Sequence, residues 1–194
     1  MTWQKGRETL QALIDRGELE RVTASGERAA AILADARRHL SSARTIAPTD
    51  PQGAYSLTYD GARKSLAAIL EAQGLRATSK GGHIVLYDAA LAQFDPPLGK
   101  LIRPFNRMRA RRNQIEYASS ENPEVTKEEV VNDIAKAEGL ISLADRSCHS
   151  STPSDMPLGG GEAPGCGYLR AKGGLFAIAH TPRRRIYRPW RAPP

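Results

Sequence analysis

Residues 1–146 of this sequence predict an all-α fold, an antiparallel bundle of five to six helices. Three observations carry that expectation. Apolar residues recur at spacings of three and four through most of the span. The breaks between those runs hold residues that cap or stop helices. No segment sustains the apolar–polar alternation of a strand, and the short connections favour antiparallel neighbours.

The first helix lies in ETLQALIDRGELERV, where Leu10, Leu13, Ile14 and Leu19 follow helical spacing and Gly17 marks a break. Ser25 can cap a second helix, whose Ile32, Leu33, Ala36, Leu40 and Ala43 form one stripe before APTDPQG ends it. Asp50 followed by Pro51 is an N-cap and first-turn proline for a third helix carrying Tyr55, Tyr59, Ala62, Leu66, Ile69 and Leu70. Gly74 suits its C′ position. The loop LRATSKGG leads to a shorter helix near residues 83–94, and DPP closes that one and opens the next. Thr126 and Glu129 have capping-box spacing ahead of Val130, Ile134, Ala137, Leu140 and Ile141.

From residue 147 the composition turns to Ser, Pro and Gly, so residues 147–194 read as a disordered C-terminal tail. The whole chain carries +7, but seven of the 28 basic residues and two of the 21 acidic ones fall in this tail. The body is therefore nearly neutral, and the high pI alone does not make it a nucleic-acid binder. The terminal RRRIYRPWR either grips RNA through phosphate contacts and stacking or is a solvated end. Two late cysteines form no disulfide framework, the N-terminus lacks an apolar signal core, and no apolar run approaches the roughly 18 residues of a membrane span. The expectation is a cytoplasmic protein without membrane contact. Cys148, His149, Cys166 and His180 match no zinc-module spacing, so no metal and no cofactor is expected.

The densest charge lies in RMRARRNQIEY, residues 107–117, with arginines at 107, 109, 111 and 112. On a helix, Phe105, Met108 and Ile115 share one face, with Arg103 and Arg107 opposite and solvated. Arg112 lies seven, four and three residues from those apolar positions, in the middle of their stripe. Stranding a buried charge costs about 3–5 kcal/mol, so Arg112 requires a partner, a subunit seam or a cleft. Glu116, one turn on, is one partner and Asp60 on the third helix is another. Asn113 and Tyr117 stand one turn apart at the border of the stripe. In YDGARK, Tyr59 reads as a core aromatic whose hydroxyl bonds at an edge, while Asp60 either orients Arg112 or pairs with Arg63 or Lys64.

YDGARKSLAAILEAQGLRATSKGGH followed by FNRMRARRNQIEY resembles the HEPN superfamily of small α-helical bundles. That resemblance implies a metal-independent ribonuclease of a toxin–antitoxin module, a homodimer, and a nucleotidyltransferase-type antitoxin as partner. The family signature is an arginine, a polar residue, a short spacer and a histidine. Arg112 and Asn113 match its first half, and Tyr117 occupies the histidine position. Imidazole suits proton transfer near neutral pH, whereas tyrosine titrates near 10. The implied catalytic candidates are Arg112 as phosphate clamp, Asn113 and Glu116 as its orienters and Tyr117 as a substrate contact. Arg109, Tyr59, Asp60 and His83 are candidates for substrate binding. The body's two histidines are His39 and His83; His83 either faces solvent as it opens its helix or folds back toward Arg112. The alternative to an RNA-directed protein is a non-catalytic helical module that dimerises and binds a nucleotidyltransferase-like partner.

Overall fold

The computed structural model describes residues 5–117 and 124–149. They belong to one compact unit, Met1–Met156, and the tail expected at 147–194 lies almost wholly outside the described residues. The order is α1 (Arg7–Asp15), β1 (Leu19–Arg21), α2 (Gly26–Ile46), α3 (Pro51–Ala72), β2 (Leu75–Ala77), α4 (Ile84–Phe94), α5 (Gly99–Ile102), α6 (Pro104–Glu116) and α7 (Lys127–His149). The all-α bundle is therefore present, with six helices of nine residues or more among the described residues and α5 a single turn.

The helix ends follow from local chemistry. Ser25 accepts from the Arg28 N–H at 3.1 Å and Asp50 from the Gly53 N–H at 2.8 Å, each satisfying a donor the first turn leaves free. Thr126 caps α7 by accepting from the Glu129 N–H at 3.1 Å, but the Glu129 carboxylate turns away to Arg111 instead of closing the box. Gly74 sits just past α3 at φ 76°, where a side chain would also press within 2.8 Å of the Val22 carbonyl.

Cross-helix pairs fix the directions. Along α2 and α3, Arg28 meets Glu71, Asp35 meets Lys64 and His39 meets Asp60, so the two helices are antiparallel. Gly61 makes the close approach possible, since a Cβ there would stand 2.9 Å from a Leu40 methyl. Arg37–Asp145 and Arg44–Glu138 set α7 antiparallel to α2, while Tyr55–Asp133 and Ala68–Cys148 set it parallel to α3. The segments α4 to α6 intervene between α3 and α7, which is how two helices of the same direction come to pack side by side. The main core joins Leu33, Leu40, Tyr59, Leu66, Ile69, Phe105, Met108 and Leu140, and each fully buried large side chain contributes about 2 kcal/mol. A second cluster of Tyr55, Ile115, Val130 and Ile134 closes the far end.

The absence of strands expected from the sequence is corrected by a two-stranded antiparallel ladder. Leu19 pairs with Ala77, Glu20 with Arg76 and Arg21 with Leu75. Three-residue strands are too short to show alternation, and they form because the ladder satisfies backbone groups between helices. Beyond β2 the chain stays tied to the α1–β1 turn. The Thr78 hydroxyl donates to the Gly17 carbonyl at 2.7 Å, Lys80 Nζ donates to the Arg16 carbonyl at 2.6 Å, and Gly81 packs against the Glu18 backbone. His83 follows directly on this anchored loop.

Candidate functional site

Three elements build the site. Tyr59 on α3 is buried, and its ring stacks on Phe105 of α6 with centroids 5.6 Å apart and planes 21° apart. Arg109 and Arg112 follow Phe105 by one and two turns, so they extend the same edge of α6. On α3, Arg63 stands one turn beyond Tyr59. The third element is the N-terminus of α4, where His83 Nδ1 lies 2.6 Å from the Tyr59 hydroxyl. An imidazole and three guanidiniums thus surround the buried Tyr59 phenol.

The electrostatics express that grouping. Burial pushes the Tyr59 hydroxyl up to about 12 although Arg63, Arg109 and Arg112 all pull it down, so the phenol keeps its proton. His83 titrates below its ordinary value of 6.5, first because its ring is partly desolvated and then because Arg63 and Arg112 oppose a further positive charge. Its imidazole is therefore neutral at pH 7. The residue remains exposed, with its Nδ1 edge turned to the Tyr59 hydroxyl.

Arg112 does not occupy the core as its phase suggested. Its side chain is 31% exposed and pairs with Glu116 on its own helix at 3.2 Å. The buried place on α6 goes to Arg111, 13% exposed, which donates to both Glu129 oxygens at 2.9 and 3.1 Å. Arg107, read as solvated, is exposed, and its guanidinium also reaches across to Asp133, a buried carboxylate that accepts from the Tyr55 hydroxyl and from Lys136, each at 2.9 Å. Arg103 pairs with Asp95 at 2.6 Å.

The other sequence candidates divide. Glu116 touches Arg112, whereas Asn113 is exposed and its carbonyl accepts the Tyr117 N–H at 3.0 Å. Tyr117 is 79% exposed at the end of α6. Arg109 donates to Asn106 of its own helix at 3.1 and 3.2 Å. Asp60 turns to Arg63 and to His39, whose Nδ1 lies 2.7 Å away but off the line of a hydrogen bond, so it does not orient Arg112. Burial works to raise the Asp60 pKa, yet the bond and charge of Arg63, with Lys64 and His39, hold it below the usual carboxylate range. His83 satisfies both alternatives: it is exposed at the start of α4, makes no side-chain cap, and leans back into the field of Arg112.

The sequence reading missed Arg63 as part of this cluster, although its spacing of four from Tyr59 put both on one face. Among the described residues no group of three or more His, Cys, Asp or Glu could hold a metal, and no helix is long and apolar enough to cross a membrane. Cys148 has its thiol raised by burial and directs it at the Ala68 carbonyl, while the other members of the late Cys/His set lie outside the described side chains. No protein-family model matches this chain, nor does any curated protein or solved structure.

Proposed function

We propose that this protein acts on RNA, with the basic cluster around Tyr59 as its phosphodiester site and a HEPN-like, metal-independent ribonuclease as its chemical class. The observation that carries the reading is the 2.6 Å contact between His83 and Tyr59 beside Arg63, Arg109 and Arg112. Position 117 lacks the imidazole expected there, and His83 supplies one from another helix. Guanidiniums clamp phosphate oxygens bidentately and stabilise charge as it develops. In the reaction the 2′-oxygen bonds to phosphorus as the P–O5′ bond breaks. Neutral His83 accepts the 2′-hydroxyl proton at Nε2, and the departing 5′-oxygen takes a proton from solvent water to leave as a hydroxyl. Tyr59 holds the imidazole through Nδ1, where the hydroxyl can accept the N–H of the tautomer that frees Nε2. The resemblance supplies a homodimeric setting and a nucleotidyltransferase-type antitoxin as further parts of the proposal.

The exposed Tyr117 and the Arg112–Glu116 pair within one helix favour a second reading, a non-catalytic module that binds its partner or RNA without cutting. The test is incubation of the full chain with tRNA and mRNA in EDTA. Cleavage that falls by about a hundredfold or more in His83→Ala and in Arg112→Ala supports the nuclease. Retained binding with no cleavage by the unaltered protein selects the module, and neither binding nor cleavage removes RNA from the proposal.

A further inference from the structure

We propose that the cleft of about 520 Å³ next to His83 is a nucleobase pocket, which seats the base of the nucleotide whose phosphate rests on Arg63 and His83. The proposal builds on the RNA-directed reading above and specifies where that substrate's base goes. The cleft lies between the second half of α3 and the loop from β2 into α4. Ala67, Leu70 and Leu86 give it an apolar floor, and Ser79 stands exposed on its rim. Arg63 and His83 line it too, so one pair of side chains belongs both to this hollow and to the basic cluster.

That sharing is the core of the inference. An apolar floor takes the flat face of a base out of water, and a rim of positive charge takes the phosphate attached to it. The volume falls within the range of small-ligand sites. Both rim arginines are paired, Arg76 with the nearly buried Glu71 carboxylate at 3.0 Å and Arg63 with Asp60 of its own helix, so the phosphate is taken by hydrogen bonds from Arg63 beside the neutral His83 ring. A larger cleft beside α1, about 960 Å³, fits a nucleotide less well, because Glu8 and Asp15 stand in its lining with Arg7 and Arg21 and would repel a phosphodiester.

The experiment titrates the full chain by calorimetry with adenosine 3′-monophosphate, cytidine 3′-monophosphate and inorganic phosphate. At least one nucleotide is expected to bind about tenfold more tightly than phosphate, the margin that base burial adds. Ala67→Trp fills the floor and erases that margin while phosphate binding persists. Ser79→Trp, on the exposed rim, blocks the same space without touching the core and gives the result even where Ala67→Trp does not fold. Nucleotides that bind no better than phosphate, with Arg63→Ala weakening all three ligands, would overturn the pocket and leave the basic cluster standing. Failure of all three to bind, together with RNA affinity unchanged by Arg112→Ala, would overturn both.

Discussion

The two sides of α6 carry the same residue type to opposite ends. Toward α7, Arg107 and Arg111 reach carboxylates on another helix, Asp133 and Glu129, and so tie two helices together. Toward α3 and α4, the described partners of Arg109 and Arg112 are Asn106 and Glu116 of α6 itself. The first pair has its charge neutralised across an interface. The second pair keeps a positive field directed at Tyr59 and His83. What separates the arginines tied to a second helix from those of the basic cluster is the helix that supplies the partner, and charge density along the chain carries no trace of it.

The largest expected effect tests the structural side. Asp133→Leu strands the buried Tyr55 hydroxyl and frees Arg107 and Lys136, and a loss of about 3 kcal/mol should appear in denaturant melts. Arg111→Ala breaks a two-bonded, largely buried pair and is expected to cost about 2 kcal/mol while RNA affinity stays within about twofold. Arg112→Ala reverses that pattern. Its half-exposed pair within one helix is worth about 0.5 kcal/mol, whereas RNA binding weakens and the slope of log affinity against log salt falls by about one. If Arg111→Ala and Arg112→Ala prove equivalent in both measurements, the distinction between the two sides is broken.

A smaller effect concerns pH. His83 binds its proton less readily folded than unfolded, so the unfolded chain takes up more protons just below 6.5. Its contribution to stability is complete above that value and declines as pH falls through the lowered folded pKa. Melting temperatures recorded across that window should rise with pH, and His83→Gln should flatten the rise. A profile unchanged by the substitution would place the imidazole outside the field of the arginines.

Much of the framework was legible in the sequence because it depends on local chemistry. Ser25, Asp50, Thr126 and Gly74 act on backbone within three residues of themselves, and the apolar stripes of α2, α3 and α7 repeat long enough to set a phase. The phase of α6 was less decisive. Position 112 lies in the middle of its apolar stripe, yet Glu129 of α7 draws position 111 inward instead. His83 was harder still. Nothing near GGH specifies Tyr59 as its neighbour, since that contact needs the β1–β2 ladder and the packing of α4 to be in place. The candidate site was thus visible as residue types but not as an assembly.

The tether between the 78–81 loop and the turn at 16–18 gives the imidazole a remote handle. Arg16 and Gly17 grip that loop through their carbonyl oxygens, so replacing the Arg16 side chain leaves the grip intact, while a side chain at Gly17, whose φ is 71°, shifts the turn's backbone and drags His83 off Tyr59. The turn at 16–18 therefore governs the N-cap residue of a helix it does not belong to.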